Sequence, residues 1–82
     1  MLHEIKLREP FCDAVLAGEK TFEVRENDRG YQKGDRIKFV PISRGGVYEI
    51  RHAIAEKEYE IIYVLSGWGL ENGYVAFAIK EV

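Results

Sequence analysis

Apolar residues recur at every second position in short runs along this chain. Ile5 and Leu7 alternate with Glu4, Lys6 and Arg8, and Phe22 and Val24 with Thr21, Glu23 and Arg25. Ile37 and Phe39 alternate with Arg36 and Lys38, and Val75, Phe77 and Ile79 with Tyr74, Ala76, Ala78 and Lys80. Successive strand side chains point to opposite faces, so each run predicts a short strand with one face in a core. Turn sequences punctuate the runs: Asn27-Asp28-Arg29-Gly30, Gln32-Lys33-Gly34-Asp35, Arg44-Gly45-Gly46 and the Gly-rich stretch from Ser66 to Gly73. One early segment breaks the period. Pro10 to Ala17 spaces Phe11, Ala14, Val15 and Leu16 as a helix does, with Pro in the first turn and Gly18 at the natural C′ position.

The expected order is therefore a strand over His3–Arg8, a helix, and a strand over Thr21–Glu26 with Phe22 and Val24 in the core. A strand over Arg36–Val40 follows, with Pro41 marking an edge or a bend, and then a short strand over Val47–Arg51. Residues 52–57 read equally as a loop or one helical turn. Glu58–Leu65 is rich in β-branched and aromatic residues and predicts a central strand buried on both faces. Tyr74–Lys80 closes the sheet. Tyr31, Tyr48 and Tyr74 are expected to serve the core. The 82 residues make one domain, 1–82. Its class is α+β, mainly β: five to six strands in a small barrel or strongly curved sheet, with one early helix covering an end. Closure would remove the exposed edges that a small β core must protect.

Several function classes are excluded or disfavoured. No apolar run approaches the ~20 residues of a membrane-spanning helix, and the N-terminus lacks the basic-then-apolar order of a signal peptide. A lone Cys12 permits no internal disulfide and fits a reducing compartment, which points to the cytoplasm. It reads as a structural thiol. His3 and His52 have no partners at metal-ligand spacing, so no metal is expected. Neither a P-loop nor a GxGxxG is present, and no cofactor is called for. The net charge of -2 argues against bulk electrostatic attachment to nucleic acid. The distribution is uneven, however: residues 29–57 carry a net +4 and residues 1–28 a net -3.

The densest group of reactive side chains lies where the helix gives way to the second strand, in Gly18-Glu19-Lys20-Thr21-Phe22-Glu23-Val24-Arg25. On an extended chain Glu23 and Arg25 share a face about 6–7 Å apart, and Lys20 can lean toward them from the turn. Glu23 would orient the cations, leaving their remaining N–H donors for a ligand. Spacing alone favours the plainer reading, in which Glu23 and Arg25 form a surface ion pair and Lys20 is a solvated turn residue. Trp68, between two glycines, reads either as a stacking platform for a base or as a hydrophobic lid.

Gly18-x-Lys20-x-x-Glu23-x-Arg25 resembles the GxKxxExR signature of ASCH domains, which belong to the PUA-like superfamily of small β-barrels. The run Arg25 to Asp35 and the closing Gly69-Leu70-x-x-Gly73-Tyr74-Val75 extend the likeness to a bacterial and phage branch of that superfamily, over about residues 2–80. The resemblance implies a PUA-like barrel with a cleft at its mouth beside the helix. Lys20, Glu23 and Arg25 would line the cleft, with Arg29 and the basic middle segment guiding a phosphate backbone and Trp68 joining the site. It implies RNA or a nucleotide-like ligand as the partner. Some relatives hydrolyse the amide of an acylated cytidine with the motif Lys, a Thr three positions later and a distant Glu; here Glu23 stands in place of that Thr. If the chain is an enzyme, Lys20 and Glu23 are the candidate catalytic residues, in a small hydrolase acting on a modified nucleoside or RNA. A protein-interaction module is the remaining alternative.

Overall fold

The computed structural model describes residues 1–82. Its elements run β1 (Leu2–Arg8), α1 (Glu9–Leu16), β2 (Phe22–Glu26), β3 (Arg36–Ile42), a 3-10 turn (Ala53–Glu56), β4 (Tyr59–Ser66) and β5 (Tyr74–Glu81). The five strands form one sheet in the order β1-β3-β4-β5-β2. Only β1 and β3 are parallel; the other pairs are antiparallel. A parallel pair needs a crossover, and here the crossover comprises α1, β2 and the two turns that follow.

Local chemistry sets the boundaries. Pro10 sits in the first turn of α1, where its missing N–H is not needed. The helix ends at Ala17, and Gly18 takes a φ of 77°, which lets the chain reverse into β2. His52 caps the 3-10 turn: its Nδ1 accepts from the Ile54 amide and its Nε2 lies 2.7 Å from Asp13 Oδ1, tying the turn to α1. Asn27 Oδ1 accepts from the Tyr31 amide and closes the loop after β2.

The core gathers the alternating residues. Ile5 and Leu7 from β1, Ile37 and Phe39 from β3, Tyr59 and Ile61 from β4, and Val75, Phe77 and Ile79 from β5 are all buried, with Cys12 and Val15 from α1 and Ile54 from the 3-10 turn. Tyr31 turns inward as expected and packs between His3 and Phe77, at ring separations of 4.9 and 4.8 Å. Truncating a fully buried Phe such as Phe39 or Phe77 to Ala costs about 3–5 kcal/mol in cores of this kind. Cys12 is wholly buried and donates to the Leu7 carbonyl; burial, then the Asp13 charge, pushes its thiol up to about 11.

The sheet does not close into a barrel. It is strongly curved, and its outer strands β1 and β2 approach without a backbone ladder. Two arginine side chains span the seam: Arg25 Nη2 donates to the Lys6 carbonyl, and Arg29 Nη1 to the Glu4 carbonyl at 2.9 Å. A complete ladder would seal the charged groups of β2 in a dry interior, at a cost of several kcal/mol per ion.

Three further expectations are corrected. Phe22 and Val24 do not enter the core but stand half exposed on the outer face of β2. The register with β5 decides this, because Phe22 and Val24 lie opposite Ala78 and Ala76 while Glu23 and Arg25 lie opposite the inward Phe77 and Val75. Of β4, only Tyr59 and Ile61 are buried; past a register shift between Ile61 and Tyr63 the side chains of Ile62 and Tyr63 are exposed, and Val64 packs on the core only in part. Val47–Arg51 forms no strand, since its one bridge, Ile42 to Glu49, is isolated, and Tyr48 is exposed.

Candidate functional site

The parity of β2 places Glu23 on the inner face beside Phe77, and the carboxylate there is almost entirely buried. A buried charge requires partners, and two residues supply them. Lys20, released by the turn after Gly18, returns its Nζ to Glu23 Oε2 and also donates to the Phe22 carbonyl at 2.8 Å. Arg25, two residues along the strand, donates from Nε to Glu23 Oε1 at 3.0 Å. Each carboxylate oxygen therefore has its own cation, and the Arg25 guanidinium still reaches β1 with Nη2.

Burial, then the Arg25 charge, presses the Lys20 ammonium from an ordinary 10.5 down toward about 8. The Glu23 carboxylate in contact with it opposes both effects and favours the charged amine. The ammonium also lies 5.4 Å from the centre of the Phe11 ring and 5.3 Å from that of Phe22, within cation–π range of both.

These groups line a groove of about 590 Å³ in the seam between β1 and β2. Lys6, Arg8, Lys20 and Arg25 surround it, and Glu23 is its one carboxylate. Phe11 from α1 and Phe22 from β2 line it with their rings about half exposed. A wider depression of about 900 Å³ lies over residues 50–57. It contains Arg51, His52, Glu56 and Lys57, but His52 is committed on both ring nitrogens, and Lys57 pairs with Glu81 at 3.4 Å. Only the seam groove gathers four cations around a buried carboxylate, and it is the candidate site.

The structure thus brings Lys20, Glu23 and Arg25 together and sets Arg29 on the same seam. Trp68 is not at the groove. It lies 89% exposed at the tip of the β4–β5 loop, with a φ of 55°, so it is no lid over the core. Two cations of the basic middle segment are engaged away from the groove: Arg36 pairs with Glu58 at 2.9 Å, and Lys38 donates to the Ala55 carbonyl. Sequence reasoning missed Phe11, Phe22, Lys6 and Arg8 as groove residues. The periodicity of Phe11 and Phe22 reads as core packing; the alanines at 76 and 78 of β5 are the signal that Phe22 faces outward.

A family model described as a domain of unknown function (DUF3850) matches residues 2–79. An uncharacterised 12.9 kDa protein in the GpA 3′ region of Escherichia phage P2 is 44% identical over 36 residues. That match covers 44% of this chain and 33% of the phage protein, so the chain spans about a third of its length. The crystal structure of hypothetical protein PH0355 superposes over 100% of both chains with a TM-score of 0.66 at 17% identity, and so shares the fold.

Proposed function

The chain belongs to the DUF3850 family, and from that premise we propose that it is an ASCH-type, PUA-like module that binds single-stranded RNA or a nucleotide in the seam groove. The carrying observation is the groove's composition: four cations against one carboxylate, with two half-exposed phenylalanine rings beside them. Cations suit phosphate oxygens, and exposed rings suit bases, whose stacking on aromatics is worth about 1–3 kcal/mol each. Glu23 fixes Lys20 and Arg25 in place and leaves their outward N–H donors for the ligand.

Binding is favoured over catalysis by Glu23 itself. A carboxylate whose two oxygens each face a cation is a weak general base. Hydrolysis of a modified nucleoside is the second reading, supported by the contact between the Lys20 amine and Glu23 inside the groove.

Fluorescence anisotropy with short single-stranded RNAs across a salt series tests the first reading. Affinity should fall with salt as counterions are released, and Arg25→Ala and Phe22→Ala should each weaken it. No binding at low salt, or binding indifferent to both substitutions, would refute it. Incubation with acylated nucleosides tests the second reading, and turnover that survives Lys20→Ala would exclude it.

A further inference from the structure

Beside the groove the chain builds a loop that the core does not need. Ile42 lines the groove, and the loop leaves from the next residue and returns at Glu49, which bridges back to Ile42. Ser43, nearly buried, holds the loop with four bonds. Its amide donates to the Tyr48 carbonyl at 2.7 Å, and its carbonyl accepts from the Gly46 amide at 2.8 Å. Its Oγ accepts from the amides of Val47 and Tyr48 at 3.0 and 3.3 Å. Yet the loop presents Val47 and Tyr48 to solvent, 82% and 66% exposed, with Arg44 exposed beside them. A loop fixed this firmly, with its large side chains mostly in solvent, is preorganised for something outside the chain.

Arg8 joins the loop to the groove. It lines the groove, and its guanidinium lies flat over Gly46, where a Cβ would stand 3.0 Å from Nε. Arg8 therefore carries the positive charge of the groove to the loop, which adds the exposed Arg44 two residues before Gly46 and has Glu49 as its own acid. We propose that this loop is a second subsite for single-stranded RNA: Tyr48 stacks the base next to the one held in the groove, and Arg8 and Arg44 take the phosphate between them. The inference rests on the RNA-binding reading above and extends it from a single-nucleotide groove to a strand of two or more nucleotides. Charge complementarity and continuity with the groove select a nucleic-acid strand as the occupant.

The test compares 5′-mononucleotides with a mixed-sequence RNA octamer, each titrated into the full chain at low salt and followed by amide NMR shifts. Mononucleotides should shift amides at Lys6, Lys20 and Val24 only, and the octamer should also shift Gly45, Val47 and Tyr48. Tyr48→Ala should weaken the octamer roughly tenfold, the scale of one lost stacking contact, and leave mononucleotide affinity unchanged. Arg44→Gln should weaken the octamer and flatten its salt dependence. Both side chains are exposed, so neither change should disturb folding. Octamer binding that ignores Tyr48→Ala and Arg44→Gln but is lost on Arg25→Ala would overturn the subsite and leave the groove standing. Equal loss for both ligands on Tyr48→Ala would reduce the loop to scaffolding. Failure of both ligands to bind would overturn the groove and the subsite together.

Discussion

Glu23 and Phe77 face each other across the β2–β5 ladder, so a carboxylate occupies the same side of the sheet as a core phenylalanine. The arrangement holds because Lys20 and Arg25 reach the two carboxylate oxygens from opposite sides. It also explains why the seam stays open. The cations must touch both a buried anion and the solvent, and only an incomplete closure allows this.

Removing the anion should therefore cost stability and change Lys20. Glu23→Gln leaves two partly buried cations facing a neutral amide. Losing one partner of a buried pair costs about 3–5 kcal/mol; Lys20 and Arg25 are 17% and 27% exposed, so hydration offsets part of that here. A loss of about 1–3 kcal/mol in urea unfolding is expected. With the carboxylate gone, burial and Arg25 act on Lys20 unopposed, and its amine, already lowered to about 8 in the native chain, should titrate no higher than that. Between that value and the ordinary 10.5 the unfolded chain then binds a proton that the folded chain does not, so the variant's stability should rise with pH through this window. Carbon-13 NMR of the lysine side chains reads the titration directly. A Lys20 amine that stays at its ordinary value in Glu23→Gln would contradict the account.

How far the sequence could reveal this is a matter of parity. Hydrophobic alternation located β1, β3 and β5 to within a residue or two, because in each the apolar set faces the core. In β2 it selected the wrong face. Phe22 and Val24 are the apolar pair, but the strand's orientation is set by pairing with Val75 and Phe77, a long-range fact that local periodicity does not contain. The motif positions Lys20, Glu23 and Arg25 were legible as a group; the burial of Glu23 and the aromatic walls were not. The same limit applies to Glu58–Leu65, where a run of β-branched residues suggested burial on both faces, yet Ile62 and Tyr63 are exposed at a register shift.

Asp35 gives a second, independent handle on stability. Burial alone would raise its carboxyl, but hydrogen bonds with His3 and the Gln32 amide, together with the α-amino group, hold it below its ordinary 3.8. A depressed carboxylate adds stability that is complete above its unfolded value and is lost as pH falls through the folded one. The acid limb of the stability profile should therefore lie below pH 4 and should flatten in Asp35→Asn. At pH 7 that variant should be about 1–3 kcal/mol less stable, since the buried His3 ring loses its charged partner. Urea midpoints measured from pH 2 to 7 decide it, and an unchanged acid limb in Asp35→Asn would assign the loss to other carboxylates.

Gly46 separates backbone strain from groove geometry. Its φ is 77°, a conformation that costs an L-residue roughly 1–2 kcal/mol, and a Cβ there would press on Arg8 at 3.0–3.2 Å. Gly69 has a φ of 89° with nothing within 4 Å of a Cβ. Alanine at either position should lower the thermal midpoint by a similar amount, because the backbone penalty is shared. Only Gly46→Ala should displace the Arg8 guanidinium, and with it a cation of the groove. RNA affinity should therefore fall in Gly46→Ala and hold in Gly69→Ala, with the salt slope reduced only in the former. Parallel losses of affinity in both variants would mean that global destabilisation, not the position of Arg8, governs binding.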